Sequence, residues 1–221
     1  DEIAEDIMKK VSGMTSIRKL RIVFEYRAAN LSAKQAGRMI WLIFNKMTFL
    51  EEVDLQLPKN GIEFVEKDNE GVPRLVRASV MLRECEPQME ESVWRVLRII
   101  GKCPRLRELE LDLTGSVHEL SGAASRFCEI FGKLKGLQVL NLDMNDPSSL
   151  RSILPSLLRE FIVVLNRMRS LQDWSLHIGG YYRRDGDEEV RNIYNELVES
   201  KKYRFFNPGY LVRNALQNYY Y

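Results

Sequence analysis

The stretch LRELELDL, Leu106 to Leu113, alternates apolar and charged residues without a break. Successive side chains of a β-strand point to opposite sides, so such alternation spells a strand with one buried and one wet face. The same spelling returns as LQVLNLDM from Leu137, LEEVDLQL from Leu50, LQDWSLHI from Leu171 and IRKLRIVF from Ile17. With the first apolar residue of each strip as position zero, the others fall at plus three, plus five and plus seven, as Leu109, Leu111 and Leu113 do after Leu106. A sixth strip, LVRASVML from Leu75, obeys the rule with Ala78 as its weakest member.

Upstream of position zero, apolar residues recur at minus three (Met14, Met47, Cys103, Leu134, Met168), minus six (Val11, Phe44, Ile100, Phe131, Leu165) and minus ten (Ile7, Ile40, Val96, Phe127, Phe161). Gaps of three and four are helical. Each unit therefore reads as an amphipathic helix, a short turn and a half-buried strand. Position zero falls at residues 17, 50, 106, 137 and 171, which gives intervals of 33, 56, 31 and 34. The long interval holds two units if Leu75 begins a strip. Residues 58–74, PKNGIEFVEKDNEGVPR, are rich in glycine and charge and lack the helical spacing, so they predict a loop or β-hairpin insertion in place of a helix.

Helix–strand units at a fixed period of about thirty residues predict parallel strands side by side, since neither element can bury its apolar side alone. A doubly wound sheet would carry helices on both faces and continuous apolar strands. The alternating strips leave one sheet face polar, which favours a short curved α/β solenoid, with strands on the concave face and helices on the convex one.

These residues resemble the leucine-rich repeat family, whose LxxLxL strand spelling is met by LRELEL and LQVLNL and more loosely by LEEVDL, IRKLRI and LQDWSL. The long units with full helices are similar to its ribonuclease-inhibitor-like branch. The resemblance covers residues 1–200, leaving 201–221 as a separate tail. It departs at position plus eight, where the family usually carries Asn or Cys and this chain has Glu25, Pro58, Thr114, Asn145 and Gly179. A degenerate ladder of this kind implies a short, irregular arc.

Bulk properties narrow the function. The 221 residues carry 33 Lys plus Arg against 31 Asp plus Glu, a net +2 that announces neither nucleic acid nor a membrane surface. The longest apolar runs, MIWLIF and FIVVL, are far short of the roughly 20 residues that span a bilayer. Cys85, Cys103 and Cys128 are odd in number and lie in no metal-ligand spacing, which points to reduced thiols, an intracellular compartment, and no metal or other cofactor. The chain begins with Asp1 rather than Met, as a processed product or an excised domain would.

Positions plus two, four and six face away from the helices and hold seven acidic residues against three basic ones. Glu52, Asp54, Glu108, Glu110, Asp112 and Asp143 form the expected acidic stripe, suited to a basic protein segment. Plain solubilising charge is the alternative. The tail KKYRFFNPGYLVRNALQNYYY interleaves Lys201, Lys202, Arg204 and Arg213 with Tyr203, Phe205, Phe206, Tyr210, Tyr219, Tyr220 and Tyr221. It reads as a cap over the last unit or a docking segment; RNA contact ranks lower because no RNP-type motif accompanies it. His118 and His177 are the only histidines and sit in no nucleophile, metal or phosphate motif. The expectation is a non-enzymatic protein-interaction scaffold, a subunit of a larger assembly. The recognition domain of an adaptor such as a ubiquitin-ligase receptor is the alternative, and a hydrolase or nuclease using His177 the remote one.

Overall fold

The computed structural model describes residues 6, 9, 10, 13–23, 32–56, 62, 63, 72–83, 90–115, 123–144, 154–177 and 192. The chain is α/β. Six strands, β1 (Lys19–Val23), β2 (Glu52–Gln56), β3 (Arg77–Met81), β4 (Glu108–Asp112), β5 (Val139–Asp143) and β6 (Asp173–His177), form one sheet in the order of the sequence. Every pairing is parallel. Four described helices accompany them: α1 (Ala33–Lys46) before β2, α2 (Glu90–Gly101) before β4, α3 (Ala123–Phe131) before β5 and α4 (Leu154–Arg167) before β6.

The plus-three residues stand in one row across the sheet, Leu20, Val53, Ala78, Leu109, Leu140 and Trp174, so the units are in register without slippage. Two hydrogen bonds recur with the repeat. The position-zero N–H donates to the minus-three carbonyl at Leu50, Leu106, Leu137 and Leu171, closing the turn between helix and strand. The plus-one carbonyls of Arg18, Glu51, Val76, Arg107 and Gln138 each accept two N–H groups from the next unit. The turn survives where the helix does not: Leu75 N–H donates to Val72, and Val72 N–H reaches the Cys103 Sγ of the neighbouring unit. No helix lies among the described residues between β2 and β3, and most of 58–74 lies outside them.

Burial follows the spelling. Leu50, Val53, Leu55, Leu75, Ala78, Val80, Leu106, Leu109, Leu111, Leu137, Leu140 and Leu142 all join one core cluster with Met39, Ile40, Phe44, Val96, Phe127 and Phe161 of the helices. Rings link the helices: Trp94 meets Phe127 edge-on at 4.8 Å, and Phe127 meets Phe161 at 5.2 Å. At Gly101 a Cβ would lie 3.0 Å from Ile130, so the small residue lets α2 approach α3. The start of α1 is fixed by a capping box, in which Gln35 N–H donates to Ser32 Oγ and Ser32 N–H to Gln35 Oε1.

The first unit departs from expectation. Met14, in the minus-three slot, is 42 % exposed, whereas Met47, Cys103, Leu134 and Met168 in the same slot are buried. Ile17, Leu20 and Ile22 are only half-buried. Val11 and Ile7 of the expected first helix lie outside the described residues. Among the described residues no helix is long and apolar enough to cross a membrane.

Candidate functional site

The polar face of the sheet presents three rows across the strands. The first runs Lys19, Glu52, Arg77, Glu108, Val139, Asp173; the second Arg21, Asp54, Ser79, Glu110, Asn141, Ser175; the third Val23, Gln56, Met81, Asp112, Asp143, His177. Because register is exact in residue number, plus-two and plus-four charges from neighbouring units stand side by side. Neighbours directly opposite are close enough to interact, and opposite charges there are favourable.

The sign alternates along the first row. Lys19 Nζ lies 2.7 Å from Glu52, and Arg77 Nε lies 3.4 Å from Glu108. In the second row Arg21 Nε lies 3.0 Å from Asp54. Ser175 donates to Asn141 Oδ1 at 2.7 Å further along. Three acids of the expected stripe are therefore matched to basic partners on the adjoining strand. Glu110 and Asp173 are exposed and make no ion pair among the described residues. The charge left on the face is concentrated there, toward β4–β6.

Asp112 differs from its expected exposure. It is only 6 % exposed and is gripped by Arg83 through both Nε and a terminal nitrogen, while Thr114 N–H donates to its Oδ1. Asp143 is half-buried and accepts from Thr114 Oγ1 at 3.3 Å. Arg83 and Thr114 each occupy position plus eight of their unit. Each reaches the plus-six carboxylate of the following unit, so this slot ties neighbouring units together. Sequence reasoning missed Arg83 because the plus-eight slot was read in the five regular strips and not in LVRASVML. The visible signal was the pairing of a plus-eight donor with a plus-six acid one unit later. Gly115, with φ 66°, then takes the chain out of this corner in a backbone conformation that suits glycine.

An open hollow of about 400 Å³ lies over β1–β4, lined by Lys19, Arg21, Asp54, Arg77, Ser79 and Glu110 among others. Its lining carries charge of both signs. His177 stands opposite Asp143 in register. His118, Cys85 and the tail residues Tyr203, Phe205, Phe206, Tyr210, Tyr219 and Tyr220 lie outside the described residues. Among the described residues no group of three or more His, Cys, Asp or Glu could hold a metal ion. Cys103 sits in the core, where burial pushes its thiol up to about 11 against the weaker opposing pull of the Val72 N–H. Such a thiol is a packing residue rather than a nucleophile at neutral pH. No known protein-family model matches the chain, and no curated protein matches it.

Proposed function

We propose that the chain is a short solenoid of the leucine-rich-repeat type, with a concave sheet face that binds a basic segment of another protein. It acts as a non-enzymatic interaction scaffold, a subunit of a larger assembly. The observation that carries this reading is the polar face itself: six strands in strict register, backed by one core, hold charged side chains at fixed spacings around an open hollow. A rigid frame keeps side chains in place before binding, which lowers the ordering cost of association. The residual acids Glu110 and Asp173 give the face its sign.

The choice of test follows from the burial of Asp112. A lysine there would lose the Arg83 contacts and disturb the fold, so the charge is best reversed at Glu110 and Asp173. Titration with an extended peptide of alternating lysine and serine should shift the amide resonances of Glu110, Asn141 and Asp173. Glu110→Lys with Asp173→Lys should weaken binding at least tenfold and leave the unfolding midpoint in place. Affinity should fall with salt as the screening length drops below about 10 Å. Binding indifferent to both the substitutions and salt would remove the polar face from consideration. For the remote reading, hydrolase and nuclease assays on the wild type and His177→Ala settle the matter: activity lost with the imidazole would replace the scaffold.

A further inference from the structure

The turns that lead into the strands lie along one end of the sheet, and that end is almost uniformly basic. The turn bond from position zero to minus three recurs at Leu50, Leu75, Leu106, Leu137 and Leu171, so equal slots of neighbouring units stand side by side. From minus four to plus one, the six turns hold ten of the chain's 33 Lys and Arg but only one of its 31 Asp and Glu, Glu51. All ten basic residues are exposed. The net +2 of the whole chain conceals this concentration.

The polar sheet face and these turns hold their charges differently. On the face, Lys19, Arg21 and Arg77 each meet an acid on the adjoining strand. In the turns like stands beside like: Lys102, Lys133 and Arg167 at minus four, Lys135 and Arg169 at minus two, Arg74 and Arg105 at minus one. Helix ends account for the minus-four row, because the helix dipole favours positive charge there. They do not call for the other rows. Arg18 meets Glu51 at 3.7 Å and Lys133 meets Glu129 at 2.7 Å, but among the described residues Arg105, Arg107, Lys135 and Arg169 make no ion pair. Like charges held together without acids of their own cost the fold stability, and an anion from outside relieves that cost.

We infer that this row of turns binds the phosphate backbone of double-stranded nucleic acid without reading its sequence. Charge density decides between polyanions. The turns before β4, β5 and β6 carry seven basic residues and no acid. Strands stand about 4.8 Å apart, so the seven share roughly 10 Å, about one per 1.4 Å. The C-termini of α2, α3 and α4 end here with roughly half a negative charge each, too little to offset them. A duplex offers one negative charge per ~1.7 Å of its axis. An extended acidic peptide offers one per ~3.4 Å at most, and alternate side chains turn away. A lipid surface favours apolar anchors beside the positive charge, and these three turns expose no large apolar side chain. Four of the seven residues are Arg, whose planar fork matches phosphate oxygens. This surface is separate from the Glu110–Asp173 region and selects the opposite charge, so either reading can fail without the other.

The experiment titrates the full chain into a fluorescently labelled DNA duplex of about 20 base pairs and reads anisotropy between about 50 and 200 mM salt. The logarithm of affinity should fall against that of salt with a slope of about −4 or steeper, at roughly −0.9 per phosphate neutralised. Arg105→Gln with Lys135→Gln and Arg169→Gln should flatten the slope by about 2.7 and weaken binding at least tenfold, while the unfolding midpoint stays or rises. Lys34→Gln, at the opposite end of α1, should change neither. Two unrelated duplex sequences should bind within about twofold of each other. In the wild type, duplex should shift the amide resonances of Arg105, Gly136 and Arg169, which decides the matter even if the triple variant folds poorly. No binding at low salt, or a slope unmoved by the triple substitution, overturns the inference. So does polyglutamate that displaces the duplex at equal total charge, since the occupant would then be an acidic polypeptide. Tighter binding to vesicles containing phosphatidylserine than to the duplex would overturn it in favour of a lipid surface.

Discussion

β1 and β4 obey one apolar rule, yet Leu109 and Leu111 are 1 % exposed while Leu20 and Ile22 are half-buried. Both strands point their apolar residues to the same side of the sheet. β4 has a strand on each flank and α2 and α3 within its core cluster; β1 has β2 alone among the described strands. Burial is thus conferred by neighbours, and a residue's own spelling earns only eligibility for it. Hydrophobic stabilisation scales with area removed from water, so identical leucines at the two places contribute unequally.

The comparison breaks most visibly if equal truncations cost the same. Leu111→Ala and Leu140→Ala should each cost about 2–5 kcal/mol in urea unfolding, the range for a leucine deleted from a close-packed core. Leu20→Ala should cost about 1 kcal/mol, since roughly half of its transfer term is realised. A Leu20 penalty as large as that of Leu111 would mean that the edge is covered.

The ion pairs give a second contrast of the same kind. Arg83→Ala strands a carboxylate that is only 6 % exposed, and should cost about 1–3 kcal/mol. Lys19→Ala removes an exposed partner of Glu52 and should cost less than about 1 kcal/mol. Thermal melts of the two variants at low and high salt check this, with only the Lys19 pair expected to fade on adding salt.

The minus-three slot sharpens the contrast through pH. Folding raises the Cys103 thiol from its ordinary 9.0 to about 11. The unfolded chain therefore ionises first as pH rises. The associated stability is whole below pH 9.0 and is lost up to about pH 11. Stability curves for wild type and Cys103→Ala should diverge in slope only across that window. Met14→Ala, in the same slot of the exposed first unit, should change stability by less than about 0.5 kcal/mol at any pH.

Most of the fold was legible because period two and period 3.6 are imposed by backbone geometry and survive any choice of apolar residue. Even LVRASVML, with its weak Ala78, became β3, since its neighbours on both sides enforce the register. The face was less legible. That Glu52, Asp54 and Glu108 are acidic could be read one strand at a time. That Lys19, Arg21 and Arg77 stand beside them depends on pairing between residues 25 or more positions apart, which only the register fixes. Asp112 looked like Glu110 in sequence and is its opposite in burial, because Arg83, in the plus-eight slot of the preceding unit, reaches across to it. The partial exposure of Leu20 and Ile22 was illegible for a related reason: the spelling of one strand says nothing of how many described neighbours cover it.

The strict strand order carries a consequence for how the molecule comes apart and reassembles. Each described strand bonds, among the described strands, only with those next to it in sequence, so closing any one of these contacts asks for a loop of about one unit. Assembly can begin wherever the local contacts are densest and then zip outward. The Trp94–Phe127–Phe161 cluster, which joins three successive helices, is the natural place to start. Unfolding runs in reverse, fraying at β1 before it reaches the rings. Exchange rates would then fall along the chain from Lys19 toward Leu109, and Trp94 fluorescence would report the final step rather than the first.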